Sequence, residues 1–295
     1  MMSQLSISNE FVGKPWKVVK KDITWRDTTN YAAALKDTQD CYFDDKKDKK
    51  LKTHPMFPVT LGWPLIIDIE DYIDIPKGKE IIGQLVHFST YIGFHKMIET
   101  PARLVINSQI AQLRPHRKGT EVAFQFTVTD EENQIYHIEY MTCILRDVFC
   151  QGGEKTLPDY PQIIKEIPQE VLWKSDLIAV EPELPYIYDG CTGIYNPIHT
   201  SPAFAESVGL PGVILQGTAT IALGIREVIK KEINGSFDTL HLISAKLNSM
   251  VLQNHLLEVQ LVKRIVKEDY SEFYFQIYNH TVEVMAVTYG YIRLS

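Results

Sequence analysis

Residues 193–220, GIYNPIHTSPAFAESVGLPGVILQGTAT, decide the fold prediction because they hold two helix signals in succession. SPAFAESVGL reads as a short helix that ends at Gly209. Gly217 then opens GTATIALGIREVIKKEI, in which apolar residues recur at helical spacing and two lysines suit the C-terminal end. We therefore predict a long helix that begins within a few residues of Gly217.

Long β-rich runs follow this helix and also occur in the first half of the chain. They are rich in β-branched and aromatic residues, and acidic or Asn-containing turns interrupt them, which predicts several antiparallel strands in each half. INSQIAQLRPHRKGTEV, residues 106–122, matches ISAKLNSMVLQNHLLEV, residues 243–259, without a gap and 137 positions apart. A period of that length is too long for a solenoid. It indicates a duplicated α+β unit, in which each copy is an antiparallel sheet wrapped on a helix.

The predicted division of the chain places one unit at residues 1–150 and the other at residues 172–295. A chain of 295 residues is long enough for two ordinary domains or one large one. Residues 151–171, QGGEKTLPDYPQIIKEIPQEV, are the predicted linker, because two glycines and three prolines disfavour regular structure there.

Composition and charge exclude several classes of function. The net charge of −7 and the pI of about 5.7 give no basic surface for nucleic acid. No run of about 18 apolar residues exists, so we expect no membrane span, and the N-terminus has no secretory signal pattern. The four cysteines form no zinc-ligand spacing, so we expect no metal ion. We expect a reduced intracellular compartment, either the cytoplasm or an organelle such as the peroxisome or mitochondrion.

A family resemblance is centred on His199. Residues 192–199 read TGIYNPIH, with Tyr188 upstream. They resemble the Ser-Gly-Asp-x-Asn-Pro-(aliphatic)-His motif of the MaoC-like, or (R)-specific, enoyl-CoA hydratases (hydratase 2) of the two-hot-dog type. HPMFPVTLGW, residues 54–63, and GQLVHFSTYIGFHKMI, residues 83–98, look like the non-catalytic half of the same proteins.

The resemblance implies a double hot-dog fold, with two antiparallel sheets that are each wrapped on a central helix. It implies that the first unit is non-catalytic and forms the acyl-chain pocket, while the second unit carries the hydratase-like motif. It further implies a hydro-lyase that hydrates trans-2-enoyl thioesters or dehydrates 3-hydroxyacyl thioesters of coenzyme A or acyl carrier protein, in fatty-acid metabolism. The reaction needs no cofactor, and a homodimer is an assembly open to the family.

Three residues take catalytic roles by this resemblance. His199 matches the histidine that handles the proton, and its unperturbed pKa near 6.5 suits transfer in either direction. Asn196 would order water or the neighbouring loop, and the Gly217 N–H, at a helix start, would donate to the thioester carbonyl. Each also has a purely structural interpretation: His199 as a local hydrogen-bonding residue, Asn196 as a turn initiator and Gly217 as a packing residue. The predicted substrate-binding residues are Tyr188, Ile194, Tyr195 and Gln216.

Ile194 departs from the motif, because the family places an acid at this position. An aliphatic side chain cannot accept or give a proton, and losing an acid–base group costs roughly 10²- to 10⁴-fold in rate. Asp189, five residues upstream, would point to the opposite face if the segment were an extended strand. Three interpretations therefore stay open: a hydro-lyase with weakened or retuned chemistry, an inactive thioester-binding protein and, by fold analogy alone, a thioesterase.

Overall fold

The computed structural model describes residues 4–46, 49–166, 170–233 and 237–295. Its helices are α1 (Trp25–Ala34), α2 (Val59–Ile67), α3 (Gly78–Ile82), α4 (Leu184–Thr192), α5 (Pro202–Ser207) and α6 (Gly217–Glu232). Its strands are β1 (Ser6–Ser8), β2 (Val19–Ile23), β3 (Leu51–Lys52), β4 (Leu85–Phe94), β5 (Glu99–Thr100), β6 (Ala102–His116), β7 (Gly119–Thr129), β8 (Ile135–Arg146), β9 (Phe149–Gln151), β10 (Lys155–Thr156), β11 (Trp173–Lys174), β12 (Ile178–Ala179), β13 (Leu240–Leu247), β14 (Leu256–Val266), β15 (Ser271–Asn279) and β16 (Val284–Leu294).

The chain divides into two compact units. The first comprises Met1–Asp22, Leu61–Lys96 and Arg103–Gln162, and the second comprises Ile23–Thr60, Met97–Ala102 and Ile163–Ser295. This grouping differs from the division predicted from sequence, because residues 23–60 belong with the second unit. The physical reason is that helix α1 packs against helix α4, which lies in the second half of the chain.

The first unit is built on a sheet with the strand order β10-β6-β7-β8-β4, in which neighbouring strands are antiparallel. Helix α2 lies against the inner face of this sheet. A Cβ atom added to Gly62 would stand 2.6 Å from the Phe126 ring, so glycine is what lets helix and strand approach so closely. Pro64 also lies within this helix.

The second unit repeats this plan with better-defined elements. Its sheet has the order β13-β16-β15-β14, and β11 and β12 both pair with β14, again antiparallel. Helix α6 crosses the inner face, where Gly224 sits against Phe275 and Ile277. The helix begins at Gly217, as the sequence predicts, and Lys230 and Lys231 lie in its last turn. The α+β prediction, with an antiparallel sheet and a central helix in each unit, is confirmed.

The duplication is visible in the topology, but its register differs from the one read in the sequence. The order β4-β8-β7-β6 recurs as β13-β16-β15-β14. Corresponding strands start 155 residues apart at Leu85 and Leu240, and 149 residues apart at Ile135 and Val284. The gapless match at 137 positions was wrong, because it pairs Ile106 of β6 with Ile243 of β13, which is equivalent to β4. Alternating β-branched strands resemble one another, and a short match cannot tell them apart.

The predicted linker has little regular structure. Within residues 151–171 the structure gives the end of β9 and the two-residue strand β10, both in the first unit. Residues 167–169 of this segment lie outside the described residues. Among the described helices, none combines the length and apolarity that a membrane crossing requires.

Gly224→Val should destabilise the second unit, because a Cβ atom there would meet the Ile277 and Phe275 side chains at 2.8 Å. Overpacking of this kind costs about 1–3 kcal/mol. The matched control is Gly190→Val in helix α4, where nothing lies within 4 Å of the added Cβ atom. Urea unfolding measures both variants. Equal losses of stability in the two variants would contradict the close helix–sheet contact.

Candidate active site

The N-terminus of helix α6 is the structural centre of the candidate site. Gln216 is the N-cap residue and Gly217 is the first residue of the helix. The first N–H groups of an α-helix have no partner within the helix and carry a partial positive charge. Every residue predicted for the site lies in the second unit, within positions 188–217.

His199 ends a single 3₁₀ turn, Pro197–His199, directly after Asn196. Its Nδ1 lies 2.8 Å from the carbonyl oxygen of Ile214. A carbonyl can only accept, so Nδ1 carries the proton and Nε2 of the neutral ring is the acceptor. Burial lowers the pKa of His199 to about 4, although the bond to Ile214 acts in the opposite direction. The ring is therefore neutral at pH 7 and suited to take up a proton through Nε2.

Asn196 shapes the turn that presents His199. Its side-chain oxygen accepts the Ile198 N–H at 3.2 Å, which caps the 3₁₀ turn. Tyr195, next to it, is 49% exposed, so its ring lies at the surface of the second unit. The structure thus shows Asn196 in the turn-forming role that the sequence also allowed, and its role toward water stays a prediction.

Tyr188 is fully buried and joins three elements of the second unit. Its hydroxyl lies 3.0 Å from that of Tyr31 in helix α1 and donates to Thr218 Oγ1, in the first turn of α6, at 3.2 Å. Tyr31 in turn donates to the Met56 carbonyl at 3.1 Å. The Tyr188–Thr218 hydrogen bond and the close contact of the two tyrosine hydroxyls hold the start of α6 beside α4 and α1. These contacts occupy the Tyr188 hydroxyl. A substrate-binding role for Tyr188 stays a prediction.

Gln216 is 1% exposed and bridges helices α4 and α6. Its Nε2 donates to the Pro185 carbonyl at 3.0 Å. Its Oε1 is buried and has no hydrogen-bond partner among the described protein groups. An amide oxygen of this kind has a strong requirement for a donor.

Ile194 follows the end of helix α4 and is 2% exposed. Gly193 closes the helix with a φ of 67°, a left-handed conformation that suits glycine, and the Ile194 N–H donates to Thr192 Oγ1 at 3.2 Å. The side chain supplies apolar volume and no proton.

The sequence argument against Asp189 rested on an extended strand, and this premise was wrong. Residues 184–192 form helix α4, so residue spacing there follows a period of 3.6 and not of 2. Tyr188, one residue earlier, is buried, while Asp189 is half-buried with its Oδ1 enclosed. Asp189 therefore lies at the edge of the buried helix face.

The part that residues 23–60 play in this unit was not predicted from local patterns in the sequence. Besides Tyr31, they bring in His54, which is fully buried. Its Nδ1 accepts the Met56 N–H at 3.0 Å, and its Nε2 is 3.9 Å from Asp37 Oδ2. Thr24 and Asp27, which form a capping box at the start of α1, were the available signal for the helix but not for its packing partner.

Among the residues that the structure describes, no group of three or more His, Cys, Asp and Glu side chains is arranged to hold a metal ion. The candidate site offers hydrogen-bonding groups: a neutral imidazole, a helix N-terminus and buried amide and carboxyl oxygens.

Comparisons with known proteins show what this chain is similar to. A family model described as MaoC like domain matches residues 165–285. The peroxisomal enoyl-CoA hydratase 2 of Arabidopsis thaliana is 24% identical over 196 residues, which cover 64% of this chain and 63% of that protein. The MaoC-like dehydratase structure from Phytophthora capsici aligns over 97% of this chain and 98% of its own, with a TM-score of 0.81 and 15% identity. A Mycobacterium tuberculosis protein described as a double hotdog fold covers 95% of each chain, with a TM-score of 0.62 and 10% identity.

The fold and these likenesses first define a class: the chain is a double hot-dog protein. Within that class it carries a MaoC-like domain at residues 165–285, so the resemblance read from TGIYNPIH is confirmed. The chain spans 63% of the length of the Arabidopsis relative.

The folded state should lose stability as the pH falls below 6.5, partly because of His199. Its pKa is lowered from 6.5 to about 4 by burial, so between these values the unfolded chain binds a proton that the folded chain does not. The stability that the neutral, buried His199 contributes is fully present above pH 6.5. It is lost progressively as the pH falls toward 4. His199→Gln should flatten the dependence of unfolding free energy on pH in this window. If the unfolding free energies of the variant and the parent depend on pH in the same way, the assignment of His199 as a neutral buried imidazole is wrong.

Proposed function

We propose that this protein is a hydro-lyase that interconverts trans-2-enoyl and 3-hydroxyacyl thioesters of coenzyme A or acyl carrier protein. The observation that carries the proposal is the placement of His199. Its Nδ1 donates to the carbonyl of Ile214, which lies two residues before the N-cap of helix α6. This bond ties the proposed base to the segment that leads into the proposed oxyanion-binding helix start.

The chemistry assigns a role to each group. Water addition needs a base for the water, a proton for the α-carbon and a donor for the negative charge that develops on the thioester oxygen. The neutral His199 takes the proton from water through Nε2. The Gly217 N–H, at the positive end of α6, donates to the thioester oxygen. Asn196 caps the turn that carries His199.

The remaining assignments belong to the same proposal. Ile194 and Tyr195 line the substrate site beside the motif, and Tyr188 and Gln216 support it. The first unit is non-catalytic and holds the acyl chain, the reaction uses no cofactor, and the protein assembles as a homodimer inside the cell. The Arabidopsis relative is named as a peroxisomal enzyme, and the compartment of this protein stays a prediction.

A second candidate function is thioester binding without turnover. The observation that favours it is Ile194, which is buried and has no proton to transfer at the position where the motif has an acid. The two functions differ in one measurable property, since both bind an acyl thioester but only the hydro-lyase changes it.

Hydration of crotonyl-CoA tests the proposal directly. The wild-type protein should consume the enoyl thioester, seen as a fall in its ultraviolet absorbance. His199→Ala should lower kcat by about 100-fold or more, because it removes the base. The control is His241→Ala, which removes an exposed histidine from β13 and should leave kcat unchanged.

Three results would contradict the hydro-lyase function or the role of His199. Binding of crotonyl-CoA without any loss of absorbance supports the binding protein. Release of free thiol supports a thioesterase. An unchanged kcat in a folded His199→Ala protein removes this histidine from the mechanism.

A further inference from the structure

Helix α4 and the N-cap of helix α6 meet at one carbonyl. The Pro185 carbonyl accepts the Gln216 Nε2–H at 3.0 Å. In an α-helix the carbonyl of one residue faces the amide four residues later, so the Pro185 carbonyl points toward the turn that carries Asp189. Long side chains in a helix also lean back over the preceding turn. The Gln216 amide therefore contacts α4 at Pro185, about one helical turn before Asp189.

Two acceptor oxygens lack partners at this junction. Asp189 Oδ1 and Gln216 Oε1 are both buried, and neither has a hydrogen-bond partner among the protein groups that the structure describes. Gln216 is almost fully buried, and its Nε2 is already committed to Pro185. Two unprotonated acceptor oxygens cannot satisfy each other. A proton on Asp189 changes this, because a carboxylic acid can donate to an amide oxygen.

The surroundings of Asp189 favour the protonated carboxyl. Burial raises its pKa above the ordinary value. The residue is also half-buried and not sealed in the core, so one side of the carboxyl reaches outward. A carboxyl whose pKa is raised is better suited to give up a proton as a general acid.

We propose that Asp189, positioned by Gln216, is the acid that takes over from the motif carboxylate replaced by Ile194. This inference rests on the proposed hydro-lyase function. In hydration, the water oxygen bonds to the β-carbon as His199 Nε2 removes one of its protons. The electron pair of the double bond moves to the enolate, whose oxygen the Gly217 N–H holds. Asp189 then gives its proton to the α-carbon.

The cycle closes without a further reactant. The proton on His199 returns through solvent to the Asp189 carboxylate, which restores the starting state. One water and one enoyl thioester thus give one 3-hydroxyacyl thioester. Dehydration follows the same steps in reverse.

Asp189→Asn is the first test, because the amide keeps the shape of the side chain but has no acidic proton to give. It should lower kcat for crotonyl-CoA by about 100-fold or more with little change in KM. It should also slow the exchange of the α-hydrogen of 3-hydroxybutyryl-CoA with D₂O, which NMR measures. The matched control is Glu183→Gln, an exposed carboxylate at the N-cap of the same helix, whose side chain makes no capping bond; it should leave both rates unchanged.

Relocating the acid is the second test. Ile194→Asp alone should add little to kcat, because Asp189 already serves. In the Asp189→Asn background, Ile194→Asp should raise kcat at least about tenfold, since the carboxyl introduced at position 194 then supplies the proton. Circular dichroism and thermal melting establish that each variant is folded. This rescue is a result that a merely structural role of Asp189 would not produce.

The outcomes separate this inference from the proposed function. If the wild type hydrates crotonyl-CoA and folded Asp189→Asn does so at the same rate, the hydro-lyase function stands and Asp189 is not its acid. A large gain of kcat from Ile194→Asp in the wild-type background also overturns the inference. If the wild type neither hydrates the enoyl thioester nor exchanges the α-hydrogen, the proposed function itself fails, and the role of Asp189 fails with it.

Discussion

The buried start of helix α6 is the constraint on which the rest of the second unit depends. A helix N-terminus presents N–H groups that the helix cannot satisfy, and here it lies inside the unit that wraps around it. Thr218, in its first turn, accepts a hydrogen bond from Tyr188, and Gln216, its N-cap, is tied to helix α4. The residues proposed for catalysis lie around this point because the chain must organise polar groups there in any case.

Residues 23–60 take part in this organisation although they are distant in sequence. Tyr31 donates to the backbone at Met56 and meets the Tyr188 hydroxyl, and Arg226 of α6 donates to the carbonyl of Leu35. A buried hydroxyl that loses its partner costs about 1–3 kcal/mol. In the second unit, helices α4 and α6 are thus held by hydrogen bonds and contacts to residues 23–60.

Local patterns in the sequence predicted the elements well and their partners poorly. The start of α6, the short helix α5 and the antiparallel strands follow from periodicity, glycine placement and β-branched content. Helix α4 was missed because YIYDGCT is rich in aromatic and turn-forming residues, although Pro185 near its start and Gly193 after its end are helix-boundary signals. The packing of α1 on α4 could not be predicted, since nothing local to residues 25–34 specifies a partner some 150 residues away.

The apolar residue at position 194 and the neutral state of His199 are physically linked. The resemblance pairs this position with the histidine, and an ionised carboxylate a few ångströms from an imidazole raises its pKa and favours the charged ring. Ile194 exerts no such effect, and burial keeps His199 in the form that accepts a proton. The same substitution removes the proton donor, so a hydro-lyase with this site needs an acid that is itself protonated at rest. The carboxyl proposed as that acid, Asp189 on the edge of α4, has a pKa that burial raises, and its Oδ1 is buried without a hydrogen-bond partner among the described protein groups.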